Sequence, residues 1–133
     1  EPLSVVSGTS AKVSRASTAC PPRVSQYAAV EALQNDSHVE KMREAYKERR
    51  DLLVERMNNL GWDFVAPEGA IYAFPRVGED SWSFCLNMIE EGVAMVPGEP
   101  MGPESNQNVR ICFGSTNKEQ INTAFDKLEE KLL

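Results

Sequence analysis

One stretch near the C-terminus, Asn108-Val109-Arg110-Ile111-Cys112-Phe113-Gly114, constrains the fold more than any other. Its apolar residues alternate, with Val109, Ile111 and Phe113 on one face and Arg110 and Cys112 on the other. Side chains of a strand point to opposite faces in turn, so a two-residue period predicts a half-buried strand. The apolar face needs a cover, which calls for helices laid against a small sheet. The other face carries a guanidinium in the middle of a sheet element, where a long cation needs a partner. A planar fork of N–H donors suits a carboxylate held at two points. That carboxylate belongs either to an acidic side chain of the same domain or to a ligand.

The rest of the chain supplies the cover. Tyr27, Val30 and Leu33 mark one face of a short helix that follows Pro21-Pro22, and Asn35 ends it. Ser37-His38-Val39-Glu40 has the form of a capping box at the start of a long helix reaching about Leu60. Val39, Met42, Tyr46, Leu53, Met57 and Leu60 form its apolar stripe, and Gly61 suits its C-terminal turn. Strands are expected at Trp62–Ala66 and Ile71–Phe74, around a turn at Pro67-Glu68-Gly69-Ala70. A third helix starts at Asp80 or Ser81 and runs to Glu91, with Trp82, Cys85, Leu86 and Ile89 inward. Val93–Val96 reads as an apolar strand closed by Pro97-Gly98. Asn117 and Gln120 cap a last helix whose inner face is Ile121, Ala124, Phe125, Leu128 and Leu132. The expected fold class is α+β, a small, mostly antiparallel sheet backed by helices.

Residues 1–23 differ from the remainder. They hold five serines and three prolines with no sustained apolar period, and are expected to form a loosely ordered arm before a domain at 24–133. The chain begins at Glu1 and not at Met, which fits a piece of a larger or processed protein.

Composition removes several functions. A net charge of −6 argues against a general nucleic-acid or anionic-membrane binder. With one histidine and three widely spaced cysteines, Cys20, Cys85 and Cys112, no zinc-knuckle spacing exists. Reduced thiols and a cytoplasmic setting are the simplest expectation. No apolar run approaches membrane-spanning length.

Five phrases occur in a fixed order: Val24-Ser25-Gln26-Tyr27-Ala28-Ala29, Arg49-Arg50-Asp51, Pro67-Glu68-Gly69-Ala70-Ile71-Tyr72, Val96-Pro97-Gly98, and Val109-Arg110-Ile111-Cys112-Phe113-Gly114. In this order, over roughly residues 20–133, the chain resembles the C-terminal small domain of class I/II, fold-type I aminotransferases, which use pyridoxal phosphate. The resemblance implies that Arg110 binds the α-carboxylate of the substrate and that Tyr72 borders the substrate pocket. A two-point hold on the carboxylate would fix the orientation of the amino acid at the cofactor. Gly69 and Ala70 would keep the turn before Tyr72 small, and Gly98 would shape the rim. Each has a plainer alternative: an ion pair within the domain for Arg110, a core position for Tyr72, an ordinary turn for Gly98. Arg49 and Arg50 read as a surface ion-pair group with Asp51 or Glu55.

The resemblance also implies what this chain does not supply. The family's cofactor-binding lysine and its pyridine- and phosphate-binding residues lie upstream of the matched segment. Lys12 fits the lysine poorly, because Ala11 precedes it where the family has serine or threonine. The expectation is therefore no catalytic or cofactor-binding residue in this chain and no metal. Pyridoxal phosphate would be bound by a parent enzyme and not by this piece, which alone would be inactive. The parent would use amino-acid and 2-oxo-acid substrates, contain a large domain and form a homodimer. Two other readings stay open: a stand-alone binding or interaction module with this fold, or a pyridoxal-phosphate lyase or synthase that shares the carboxylate arginine.

Overall fold

The computed structural model describes residues 21–132. Lys12, Cys20 and the expected arm through residue 20 lie outside the described residues. The chain divides into two compact units, one through Glu40 and one from Lys41.

In the first unit, Pro22 precedes helix α1, Arg23–Gln34, and the Gln26 side chain donates to the Pro21 carbonyl at 2.9 Å. Proline fits there because its fixed φ suits a helix start and it has no N–H to leave unpaired. None of the residues of α1 is buried. Its expected apolar face is open, with Tyr27 73 % and Leu33 86 % exposed. Helix α2, Ser37–Asn59, follows. The Ser37 hydroxyl donates to Asn35 Oδ1 at 2.7 Å, so a polar side chain outside the helix engages its first turn.

In the second unit, the stripe of α2 is buried only from Leu53 onward. Leu53 and Met57 are in the core, whereas Met42 is half exposed. Gly61 ends the helix with φ +69°, and the Trp62 N–H donates back to the Met57 carbonyl. A left-handed residue is what lets the chain turn under its own last carbonyls.

Among the described residues the sheet has three strands: β1, Tyr72–Ala73; β2, Val96–Pro97; and β3, Val109–Cys112. Their order is β1-β3-β2, with both pairings antiparallel. The Arg110 stretch is therefore the central strand. Tyr72 lies opposite Cys112 and Val96 lies opposite Arg110. Bonds from the Phe113 N–H to the Ile71 carbonyl and from the Val109 N–H to the Pro75 carbonyl continue the β1 pairing beyond its two-residue strand.

Two expected strands are corrected. Trp62–Ala66 forms one isolated bridge, Asp63 to Arg76, because its alternation seats Trp62 and Phe64 against the core without providing a ladder partner. The apolar run 93–96 contributes only its end to β2, while Val93 is buried in the core.

Helix α3, Ser81–Glu90, buries Cys85 as expected but otherwise presents another face. Ser81, Phe84, Cys85 and Met88 are buried, while Trp82, Leu86 and Ile89 are 46–60 % exposed. The helix is apolar nearly all round, so periodicity alone cannot choose its inner side. Helix α4, Lys118–Leu132, buries Ile121, Phe125 and Leu128 as expected, but Leu132 at its end is exposed. Asn117 and Gln120 exchange hydrogen bonds at 2.8 and 2.9 Å across its first turn. The core joins Leu53 and Met57 of α2, Phe84 and Met88 of α3, Val109 and Phe113 from β3 and its end, and the inner face of α4. Trp62 fills the space between Phe84 and Phe125, with ring centroids 6.0 Å from each.

Candidate active site face

The sheet turns Val109 and Phe113 into the core, and the period of the strand then sends Arg110 and Cys112 to the opposite face. Because Tyr72 is paired with Cys112, it is the diagonal neighbour of Arg110 on that same face. Long and aromatic side chains reach across such a diagonal. The Arg110 guanidinium carbon lies 4.9 Å from the centroid of the Tyr72 ring. The two residues singled out in the sequence are thus brought together, with Tyr72 45 % exposed and Arg110 half-buried.

Among the described residues, Arg110 makes no ion pair with a carboxylate. The other arginines near the sheet are engaged. Arg56 binds Asp126 at 2.6 Å and Glu129 at 3.1 Å, Arg76 holds the Gln107 side chain, and Arg50 pairs with Asp51. The alternative of an ion pair within the domain therefore has no partner for Arg110 among the described residues. Its cation rests on the π-face of Tyr72, which orients the guanidinium and leaves its N–H groups without a hydrogen-bond partner among the described residues.

Arg110 also lines a groove of about 650 Å³ between the β2–β3 side of the sheet and α4. Met95, Val96, Cys112, Gln120 and Ala124 line it as well. Tyr72 is not among its lining residues, so Arg110 stands where the groove meets the exposed sheet face.

Two glycines close the frame. A Cβ at Gly98 would clash with the carbonyl oxygens of Ser105 and Asn108. The Gly98 N–H donates to the Asn108 carbonyl at 2.8 Å, which anchors the entry to β3. At the other end, a Cβ at Gly114 would lie 2.9–3.0 Å from the Ile71 side chain. Close approach, not a left-handed φ, explains both positions. Gly69 has open space around it, and the positive φ in that turn, 58°, falls on Ala70.

Arg49 departs from its expected surface pairing: its Nη1 donates to the Gly114 carbonyl at 2.8 Å, 65 residues along the chain. Arg50, next to it, does pair with Asp51. No spacing in the sequence signals the Arg49 contact.

The described lysines are placed elsewhere. Lys118 pairs with Glu48 at 2.8 Å and holds that carboxyl below its usual range. Lys131 does the same to Glu91, while Lys127 donates to the Glu91 carbonyl at 2.6 Å. No group of three or more metal-ligating side chains occurs among the described residues. Cys85 and Cys112 are free thiols, and burial pushes the Cys85 thiol up. No described helix is long and apolar enough to cross a membrane.

Comparison with known proteins decides the family. Residues 5–128 match the family described as Aminotransferase class I and II. The chain belongs to this family. It is 38 % identical over 122 residues to an aspartate aminotransferase of Thermotoga maritima, covering 91 % of this chain and 31 % of that protein. It is 39 % identical over 120 residues to aromatic-amino-acid aminotransferase 2 of Thermococcus litoralis, covering 85 % and 31 %. The solved Thermotoga maritima aspartate aminotransferase superposes with a TM-score of 0.81 over 91 % of this chain and 31 % of that one. A Methanococcus jannaschii protein, described as similar in its active site to kynurenine aminotransferases, superposes with a TM-score of 0.85 at 29 % identity, over 92 % and 34 %. The chain thus spans about a third of the length of the aminotransferases it matches. Its α+β fold, a three-stranded antiparallel sheet with helices against it, is the fold of their C-terminal part.

Proposed function

We propose that this chain is the substrate-carboxylate-binding part of an aminotransferase that exchanges an amino group between an amino acid and a 2-oxo acid. One observation carries the proposal. Arg110, on the central strand, lies over Tyr72 at 4.9 Å and has no carboxylate partner among the described residues. A guanidinium oriented in this way can take both oxygens of an α-carboxylate. Family membership supports the choice of ligand, as does a related Thermus thermophilus aspartate aminotransferase, 35 % identical and solved with the dicarboxylate maleate.

The family implies pyridoxal phosphate in the parent enzyme, where it acts as an electron sink for bonds at the amino-acid α-carbon. The described residues do not fit that group. Lys118, Lys127 and Lys131 are held by Glu48 and Glu91, and Lys47 lies near Glu44. Lys41 is exposed on α2. None is a buried amine beside Arg110. No step through the cofactor is therefore assigned to this chain. Its own residues would bind the carboxylate at Arg110, orient the guanidinium through the Tyr72 ring, and hold strand β3 at both ends. Orientation matters because placing the reacting bond correctly supplies a large part of an enzyme's rate.

The parent would contain a large domain and act as a homodimer in the cytoplasm, and this chain alone would not catalyse transamination. The test is Arg110→Ala in the full-length enzyme. Loss of a two-point, charge-assisted contact should raise KM for the amino acid by about 10- to 100-fold. Cofactor retention, read from its absorbance, should not change. Equal losses of substrate affinity and cofactor would show that Arg110 is structural and overturn the proposal.

A further inference from the structure

We infer that Arg49 is a positioning residue for the Arg110–Tyr72 pair, an inference that rests on the substrate-carboxylate reading of Arg110. Arg49 is half-buried on α2 and makes no ion pair among the described residues. Its guanidinium is fixed on two sides. Nη1 donates to the Gly114 carbonyl at 2.8 Å, and the guanidinium carbon lies 5.4 Å from the ring centroid of Tyr46, one helical turn earlier. A cation held by an aromatic face and a backbone carbonyl has little freedom to move.

The point it grips controls both members of the pair. Gly114 follows β3, four residues after Arg110. There the chain leaving β3 packs closely on the residue that leads into β1, since a Cβ at Gly114 would meet the Ile71 side chain. Ile71 immediately precedes Tyr72, and its carbonyl accepts from the Phe113 N–H at 2.9 Å. Arg49 therefore tethers the junction of the two strands that carry Arg110 and Tyr72. Without the tether, the end of β3 is free to shift against β1, and the diagonal that lays the guanidinium over the ring opens. Active-site geometry is sensitive to displacements of about an ångström.

Arg49 is already engaged by the Gly114 carbonyl and the Tyr46 ring, so its effect should run through Arg110. Four proteins test this in the full-length enzyme: wild type, Arg49→Met, Arg110→Ala and the double variant. Each is measured for KM, kcat and the dissociation constant of maleate by calorimetry. Arg49→Met should raise KM and the maleate constant by about 3- to 10-fold, with kcat within about 2-fold of wild type. In the Arg110→Ala background the same change should add less than about 2-fold, because its target is already gone. Arg49→Lys keeps a cation able to reach a carbonyl and should recover at least half of the loss. If Arg49→Met does not fold, Arg49→Gln, which loses the charge and much of the reach, takes its place with the same expected rise. An unchanged maleate constant in the Met or Gln variant, no recovery in Arg49→Lys, or effects that multiply in the double variant would overturn the inference. If Arg110→Ala itself leaves maleate binding unchanged, the carboxylate reading fails, and the tether then has no substrate group to position.

Discussion

Tyr72 and Arg110, on neighbouring strands and 38 residues apart, form a cation–π pair with the guanidinium carbon 4.9 Å from the ring centroid. The register of β1 against β3 creates the pair, because Tyr72 faces Cys112 and so lies diagonal to Arg110. A pair of this kind at an exposed site is worth about 0.5–1 kcal/mol. Tyr72→Leu should therefore weaken carboxylate binding by about 2- to 5-fold, measured by maleate calorimetry. Tyr72→Phe keeps the ring and should change it by less than 2-fold. If Phe lost as much as Leu, the hydroxyl and not the ring face would be the active element.

The two close-packed glycines should respond in a fixed order. At Gly98 a methyl group meets the backbone oxygens of Ser105 and Asn108, which cannot yield without moving the chain. At Gly114 it meets the Ile71 side chain, which can rotate. Forcing a methyl group into a filled site costs about 1–3 kcal/mol. Gly98→Ala should fall near the upper end and Gly114→Ala near the lower end, read from urea unfolding midpoints. Equal losses would mean that the Gly98 turn opens easily and does not brace the entry to β3.

These features differ in how far the sequence announces them. Helix α4 was legible because Asn117 and Gln120 mark its start and Ile121, Phe125 and Leu128 recur at helical spacing. The strand with Arg110 was legible because alternation directly encodes which face a side chain takes. The inner face of α3 was not, since Trp82, Leu86 and Ile89 are as apolar as Phe84, Cys85 and Met88. Only the tertiary partners of the helix choose between the two sets. Trp62–Ala66 alternates like a strand, but a ladder needs a neighbour that no local pattern reveals. The contact of Arg49 with Gly114 spans 65 residues and ends on a backbone carbonyl, which leaves no residue-type signature at its acceptor. Alternation and the guanidinium fork single out Arg110, the family phrases add Tyr72 and the substrate carboxylate, and strand register explains why the two side chains can meet.

The cysteines should separate cleanly by reactivity. Cys85 is buried on α3, and burial raises its thiol pKa above the ordinary 9.0, so little thiolate forms near neutral pH. Cys112 is only half-buried on the sheet face. In a Cys20→Ser background, a disulfide reagent at pH 8 should modify Cys112 first, and Cys85 only at the rate of global unfolding. Rapid labelling of Cys85 in the native protein would show that the α3 face opens locally.

Acid should remove the contribution of one helix cap. Asp80 precedes α3, and its Oδ2 accepts from the Ser83 N–H at 2.9 Å. This backbone donor favours the charged carboxylate and lowers its pKa below the ordinary 3.8. A carboxyl with a depressed folded pKa binds its proton less readily in the folded state than in the unfolded one. Its stabilisation is therefore full above the ordinary value and is lost as pH falls through the lower, folded value. Asp80→Ala should unfold at lower urea than wild type at pH 7, and by the same margin down to about pH 5. Below about pH 4 the margin should narrow, and it should be smallest near pH 2, where the wild-type carboxyl is also neutral. Asp80→Asn keeps an oxygen acceptor without a charge, so its difference from Asp80→Ala should not vary with pH. The other carboxyls with lowered pKa, Glu48 and Glu91, are present in all three proteins and cancel in the comparison. A margin between wild type and Asp80→Ala that stays constant from pH 7 to pH 2 would show that the cap stabilises α3 without its charge.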